Sequence, residues 1–495
     1  VLSSIIFLPL VAAAVLAVPR VPDRVARWTW IAVTAAEVLL VGVLIARYET
    51  PADGGLAFEE RARWIPSVNS SWHVGVDGLS VPLLALTAVV FCACAVYGLR
   101  EDRRPRQHAA LFLALQATCM GLFAAQDLIV FFVFFDLSIV GMYAAIAGWG
   151  HGRDAGRSAL QFFLYTFLGS LALLLGFIGL YLAADPHTFD IPELVAAAPL
   201  QDHPVAGGFV LAALLLGLAV KTPTIPFHTW LPPAHTDASA IGSAVLAAVL
   251  LKMGTYGFVR IAMPAMPDAW RGAAWVVLGV GIASVLYGAL VALAQTDVKR
   301  MIAYTSINHM GYVVLAVGAA GLLGGGTAAR ELAVTGAVTQ MVSHGLITGA
   351  LFLLAGVLHD RTGSYAMRDY GGLARSAPVW SGLFAVGAFA SLGIPAFSGF
   401  IAEFQVFAGS IGTTAWAAIA LPGILITAAL FLRALQLLVT GLPGGRSIGF
   451  TDVRAVEAVP VTGLLLLSLA IGVLPWLLLD LITPASAVLV DLVGR

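Results

Sequence analysis

Charge is nearly missing from this 495-residue chain: Asp, Glu, Lys and Arg together make up 11% of it, against about 25% in soluble domains. So few charges cannot build a polar shell. With 60% hydrophobic residues and a mean hydropathy of +0.94, most of the surface must face lipid. An excess of either sign is also missing, since 26 basic residues meet 27 acidic ones. That excludes a nucleic-acid-binding chain and gives no hint of an acidic or basic partner. Low-complexity tracts are absent, which excludes disordered and fibrous classes. Cysteine is scarce: Cys92, Cys94 and Cys119 all lie in apolar stretches, with no C-x-x-C pair. They form no disulfide framework or iron–sulfur motif and read as small buried hydrophobes. Lysine is the rarest ion, with three residues against 23 arginines.

What the chain does have is long apolar runs. A helix needs about 20 apolar residues to cross the hydrocarbon core. Fourteen stretches qualify, at about 1–18, 28–46, 78–99, 108–124, 128–149, 158–183, 205–225, 239–262, 270–294, 298–320, 329–358, 378–410, 413–440 and 458–482. The first lacks a basic leading region and reads as an uncleaved helix rather than a signal peptide. The separators, longest at 47–77 and 184–204, are too small for a soluble domain. The expectation is therefore one all-α polytopic membrane domain over 1–495. It comprises N-terminal helices (1–107), a first five-helix unit (108–262), a second (270–440) and a C-terminal span (458–482). Span 12 is too long for one straight helix, and Gly393-Ile394-Pro395 breaks it in two.

Lys and Arg orient the spans. Sixteen fall in the loops on one side, including Arg153, Lys299 and Arg300, and seven on the other, including Arg495. The richer side is cytoplasmic, which places both termini outside.

An ionisable residue in mid-membrane costs about 2.5–3.5 kcal/mol on insertion scales, so it is rare unless it works. Lys221 and Lys252 both fall in spans. Arg stays protonated, whereas a desolvated Lys can release its proton, so lysine here points to proton exchange. Asp136 follows Phe131-Phe132-Val133-Phe134-Phe135 and needs a partner. A lysine about 6 Å away would supply roughly 3 kcal/mol at an effective dielectric near 20. Glu403, in the broken span, is the second buried carboxylate, and Glu37 in span 2 is a weaker candidate that is as readily structural. His228, His309 and His344 lie in or beside apolar spans, and imidazole both donates and accepts protons near neutrality. The other six loop or span-end histidines, His73, His108, His151, His187, His203 and His359, read as solvated. No close ligand pair or attachment motif supports a metal or haem, and no cofactor is expected in this chain.

The run Lys221-Thr222-Pro223-Thr224-Ile225-Pro226 puts two prolines straight after a buried lysine, as Gly393-Ile394-Pro395 precedes Glu403. Prolines free backbone carbonyls, which at membrane depth must face protein or water. Spans 7 and 12 lie five apart. Paired breaks of this kind fit two inverted five-helix repeats, spans 4–8 and 9–13, with an ion path at mid-membrane.

Residues 72–410 resemble the antiporter-like subunits of respiratory complex I, the proton-pumping NADH:quinone oxidoreductase. The resemblance is carried by GVDGLS (Gly75–Ser80), KTPTIPFHTWLPPAH (Lys221–His235) and LLKMGTYGFVR (Leu250–Arg260). DVKRMIAYTSINHMGY (Asp297–Tyr312), SHGLITGALFLLAGVLHDR (Ser343–Arg361) and GIPAFSGFIAEF (Gly393–Phe404) complete it. Glu403 marks the M type (mitochondrial subunit 4), because the other two large subunits usually carry Lys there. The absence of a lateral-helix extension after span 14 argues the same way against the largest subunit. The resemblance implies that Asp136 and Lys221 form a switching ion pair, that Lys252 is the central proton carrier, and that Glu403 is the exit-side carrier. His228, His309 and His344 would connect them with ordered water. Three positions depart from the family: Asp136 stands for its usual Glu, Pro233 for Asp, and Ser239 for Pro.

The expected function is proton translocation without redox chemistry, in a bacterial inner membrane. The implied partners are the other membrane-arm subunits, neighbouring antiporter-like subunits, the lateral helix of the largest one, and lipid. NADH and quinone would be bound by other subunits. The rivals are a subunit of a multi-subunit sodium/proton antiporter, a self-contained solute transporter, for which no convergent Asn, Gln or Arg pocket is found, and a structural scaffold whose buried charges only hold helices together.

Overall fold

Apolar runs bounded by Pro, Gly and charge become helices because lipid offers no partner for a free backbone N–H or C=O. The computed structural model describes residues 1–51, 54–152 and 154–494; Arg153 and Arg495, used above for orientation, lie outside the described residues. In chain order the helices begin with α1 (Leu2–Ala17), α2 (Asp23–Ala46), α3 (Val81–Tyr97), α4 (Pro105–Ala124), α5 (Leu128–Trp149), α6 (Ala155–Ala183) and the short α7 (Ile191–Ala197). Next come α8 (Pro204–Lys221), α9 (Leu231–Asp237), α10 (Ala240–Ala265), α11 (Pro267–Ala294), α12 (Val298–Ala320) and α13 (Thr327–Thr362). The last are α14 (Pro378–Ser391), α15 (Ser398–Thr413), α16 (Ala415–Leu438), α17 (Ala455–Val473) and α18 (Trp476–Gly494). Among the described residues, 12 helices are long and apolar enough to cross a membrane.

Burial sorts them into layers. The apolar windows of α10 and α13 are 100% buried, so these two helices form the axis of the bundle. Leu168 on α6 and Leu425 on α16 are 71% and 73% exposed, as leucines that face acyl chains should be. The helices that carry Lys252 and His344 are thus removed from lipid, and so is α12, which carries His309 and is buried at every position but Arg300.

Two expectations need correction. The stretch 458–482 is not one span: α17 stops at Val473 and α18 starts at Trp476. Pro475 between them lacks an N–H and biases Leu474 away from helix. Along its length α18 meets residues of one end of the bundle: Gly78 faces the Leu481 carbonyl, Gly54 faces Val488, and Arg271 donates to the Val493 carbonyl at 2.8 Å. It therefore runs across helix ends. The second correction is in the separator 47–77, which holds a β-hairpin, β1 (Ala57–Ile65) and β2 (Ser70–Val76), paired antiparallel with Arg61 opposite His73. Its sequence is polar and charged, so the hydropathy pattern that exposes spans says nothing of it.

Two of the histidines expected to be solvated are buried, one of them in the hairpin. His73 is 1% exposed, with Nδ1 at 2.6 Å from Asp190 and Nε2 at 2.9 Å from Glu59. Burial pushes its imidazole down, but the hydrogen bond and charge of Asp190, with Glu59, outweigh this and lift it above the ordinary histidine value. A raised folded value stabilises the hairpin below the unfolded titration point, and this stabilisation is lost as pH rises through the folded one. Amide exchange across Ala57–Val76 is therefore expected to be slower at pH 6 than at pH 8.5, after correction for intrinsic rates. His73→Gln is expected to remove that difference; an unchanged difference would show that another group is responsible. His108 is likewise buried, wedged between Trp30, Phe112 and Trp149. His187 and His203 are exposed as expected.

One local device occurs twice. Asp127 caps α5 by accepting from Ile129 N at 2.8 Å, and Asp297 caps α12 by accepting from Arg300 N at 2.8 Å. Each cap lies in a short antiparallel bridge. Leu128 N reaches Phe189 O and Ile191 N reaches Gln126 O, both at 2.8 Å. Val298 N reaches Tyr365 O and Met367 N reaches Thr296 O, both at 2.9 Å.

Candidate functional site

Lys221 is the last residue of α8, which ends because Pro223 cannot donate to the next turn. The freed carbonyls are taken up locally. Thr224 N donates to Ala219 O at 3.1 Å, and Trp230 Nε1 donates to Val220 O at 3.0 Å. The Lys221 ammonium is 1% exposed, donates to Ser138 Oγ at 2.7 Å and lies 4.7 Å from the Phe135 ring centroid. Asp136 is half-buried, lies within reach of Ser170 and Lys221 and has one oxygen buried without a protein partner, and it makes no ion pair with Lys221 within 4.0 Å. Ser138, two residues beyond Asp136, holds the lysine instead. Nothing in the sequence singles it out from the other span serines.

Lys252 is fully buried on α10 just after a π-helical turn, Leu246–Leu250. The shift to i→i+5 pairing frees a carbonyl, and Ala247 O accepts from Lys252 Nζ at 2.5 Å. The second partner of the amine is His344 Nδ1 on α13 at 2.6 Å. The His344 ring meets the His309 ring edge-on, with centroids 5.4 Å apart. His309 Nε2 stands 3.9 Å from Glu403 Oε1. A cavity of about 10 Å³, lined by His309, Gln340, Ser343, His344, Ser391 and Glu403 among others, lies between them. That volume is about one water molecule. His344 Nε2, both nitrogens of His309, Gln340 Oε1 and Ser391 Oγ are buried without a protein partner. Buried polar atoms in this number need ordered water.

Two glycines allow these approaches. A Cβ on Gly254 would lie 2.4 Å from Thr222 Oγ1, so the broken end of α8 can close on α10 two residues from Lys252. Gly393 holds φ +71° between α14 and α15, and a Cβ there would lie 2.5 Å from Glu403 Oε2. Gly393→Ala is expected to swing the carboxylate away from His309, with backbone strain of about 1–2 kcal/mol. The expected result is a several-fold loss of turnover in an enzyme that still assembles. Wild-type turnover would show that this carboxylate position does not matter.

The structure thus brings Lys252, His344, His309 and Glu403 into one file and sets Asp136, Ser138 and Lys221 together as a second cluster. His228 joins neither; it packs edge-on against Tyr287 at 5.0 Å. Both Glu37 oxygens are buried without a protein partner. Lys299, counted above as a loop charge, is fully buried. Its Nζ donates to Ala238 O at 2.5 Å and lies 5.0 Å from the Tyr365 ring centroid. His235 is also fully buried, stacks on Phe352 at 4.5 Å, and lies within electrostatic reach of both Lys252 and Lys299. Lysine scarcity, which singled out the other two, applied equally to Lys299; its place at a span edge hid it.

Residues 125–430 match the family model of NADH:quinone oxidoreductase/Mrp antiporter membrane subunits. The chain belongs to this family. It is 37% identical to NADH-quinone oxidoreductase subunit M of Rhodobacter capsulatus, across 99% of this chain and 96% of that one. A chain of respiratory complex I from Thermus thermophilus superposes with a TM-score of 0.90 at 30% identity, covering 100% of both chains. A chain of the Mrp complex from Dietzia sp. DQ12-45-1b shares the fold, with a TM-score of 0.86 at 22% identity over 99% of this chain and 98% of that one. The relatives place this chain with the M, or chain 4, type of antiporter-like subunit of complex I.

Proposed function

We propose that this chain carries protons across a bacterial inner membrane as a membrane-arm subunit of NADH:quinone oxidoreductase, driven by quinone reduction in other subunits. The observation that carries this reading is the buried file Lys252–His344–His309–Glu403. It holds an amine, two imidazoles and a carboxyl group, with unpartnered polar atoms and water-sized space between them. A scaffold would pair these groups and fill the gap with side chains. Each proton moved against 100 mV requires about 2.3 kcal/mol.

In this reading Lys252 passes its proton to His344 Nδ1, His309 relays it through water, and Glu403 releases it outward. His228 flanks the path on the Lys221 side. Lys299 and His235 feed Lys252 from the cytoplasmic side, and water connects the steps. Lys221, held by Ser138, switches toward Asp136 when a neighbouring subunit changes charge, and its altered field sets when Lys252 lets go. The resting contact with Ser138 represents the open position of that switch. Fourteen crossings, α18 lying across the outer ends and both termini outside suit this scheme. So do two inverted five-helix units: the paired caps at Asp127 and Asp297 and the breaks after Lys221 and before Glu403 support the repeat. The partners are neighbouring antiporter-like subunits, the lateral helix of the largest subunit and lipid.

The test is proton transfer by the assembled enzyme in sealed vesicles. Asp136→Asn is expected to lower the proton yield per NADH oxidised and the turnover together, while Asp136→Glu keeps both. Wild-type yield in Asp136→Asn would remove the switch from the mechanism.

A further inference from the structure

The cytoplasmic mouth of the bundle brings together three metal-ligating side chains that the sequence separates. His151 lies in the loop just after α5, and His359 and Asp360 lie in the last turn of α13. One ligand atom from each falls within 4.8 Å of the others. The two imidazole centroids are 4.7 Å apart, and His359 Nδ1 is 4.0 Å from Asp360 Oδ1. We propose that His151, His359 and Asp360 form a site for a divalent transition-metal ion of the zinc or cobalt type, bridging the first and second five-helix units.

The donor set is the first argument. Two imidazoles and one carboxylate suit zinc and its neighbours, and three protein ligands with one open position is a familiar coordination for such ions. Bonds of about 2.0–2.1 Å require ligand atoms roughly 3.3 Å apart. The three atoms must close by up to about 1.5 Å, and none of the side chains is fully buried, so modest torsional changes suffice.

The second argument is access. A cavity of about 300 Å³ opens beside the cluster, lined by Tyr97, Arg100, Glu101, His151, Ser239 and Asp360. An ion can enter there, and its open position would face that space.

The third argument is charge. Asp360 is paired with Arg100, which must give it up. Arg100 does not lose its partner, because it also pairs with Glu457, and Glu457 accepts from Arg361 at 2.6 Å. The carboxylate can therefore exchange a guanidinium for a metal without leaving a buried charge alone. Lys299, Arg100 and Arg103 lie within electrostatic reach of His151, and these cations hold the affinity to the order of micromolar rather than nanomolar. The His359 ring stacks on Tyr365 at 4.7 Å, which orients the imidazole beforehand. The site does not depend on the proton-transfer reading, because its ligands stand outside the Lys252–Glu403 file.

The experiment is Zn²⁺ binding by equilibrium dialysis to the purified, assembled complex, with Co²⁺ absorption as a second probe. Wild type is expected to bind one more micromolar ion per complex than His151→Ala or His359→Gln, and its Co²⁺ spectrum to carry the corresponding imidazole-ligand band. Asp360→Asn is expected to weaken that ion about tenfold or more. His151 sits in a loop, so its variant tests the site without altering α13. Metal-free turnover is expected to be unchanged in His151→Ala. Equal ion counts and equal spectra in wild type and His151→Ala would overturn the assignment.

Discussion

Glu403→Gln is expected to lower NADH-driven turnover about tenfold or more, equivalent to at least about 1.4 kcal/mol, in a complex that assembles fully. Glutamine keeps the size and hydrogen-bonding capacity of the side chain but cannot take up and release a proton. Glu403 lies at the end of the file, 3.9 Å from His309, on a water-sized cavity. Among the described residues no other carboxylate lines that cavity, so no neighbour can take over. The check is turnover of membranes matched for complex content, with Glu403→Asp as a companion expected to retain partial activity. Equal turnover in wild type and Glu403→Gln would leave the carboxyl group with a packing role only.

Lys252→Met is expected to have the larger effect, about a hundredfold or near-complete loss of coupled turnover. Methionine fills a similar volume and removes the amine. It leaves Ala247 O and His344 Nδ1 without the donor they share, at about 1–3 kcal/mol for each buried group. Part of the loss could then be structural. The discriminating observation is assembly: the apolar window of α10 is fully buried, so a general packing failure would appear as missing complex, not as an assembled inactive one. Normal complex content with wild-type turnover would contradict the proposal.

Much of this was legible before any coordinates. Lys221, Lys252, Glu403 and the histidines stand out because an ion in an apolar run is costly. The broken helices stand out because Pro and Gly interrupt those runs. The pairing within the site was not legible. Ser138 holds Lys221 because of how α5 crosses the end of α8, and no periodicity encodes that crossing. His228 looked equivalent to His309 and His344, yet the turn after Pro226 carries it against Tyr287. The buried cation Lys299 counts in sequence as a loop charge, and the imidazole of His73 reads as solvated, because hydropathy averages over windows. A single polar residue covered by a hairpin or a helix end is invisible to such an average. The split at Pro475 was missed for the same reason, since both sides of it are apolar.

The central claim is that Lys252 gives up its proton, not merely that it is positive. Lys252→Arg separates the two, because a guanidinium keeps the charge and the donors but does not deprotonate in a protein. The decisive measurement is the number of protons moved per NADH oxidised by the assembled Lys252→Arg enzyme in sealed vesicles. The expected result is lost or strongly reduced proton yield with normal complex content; a full wild-type yield would mean that no proton passes through this amine.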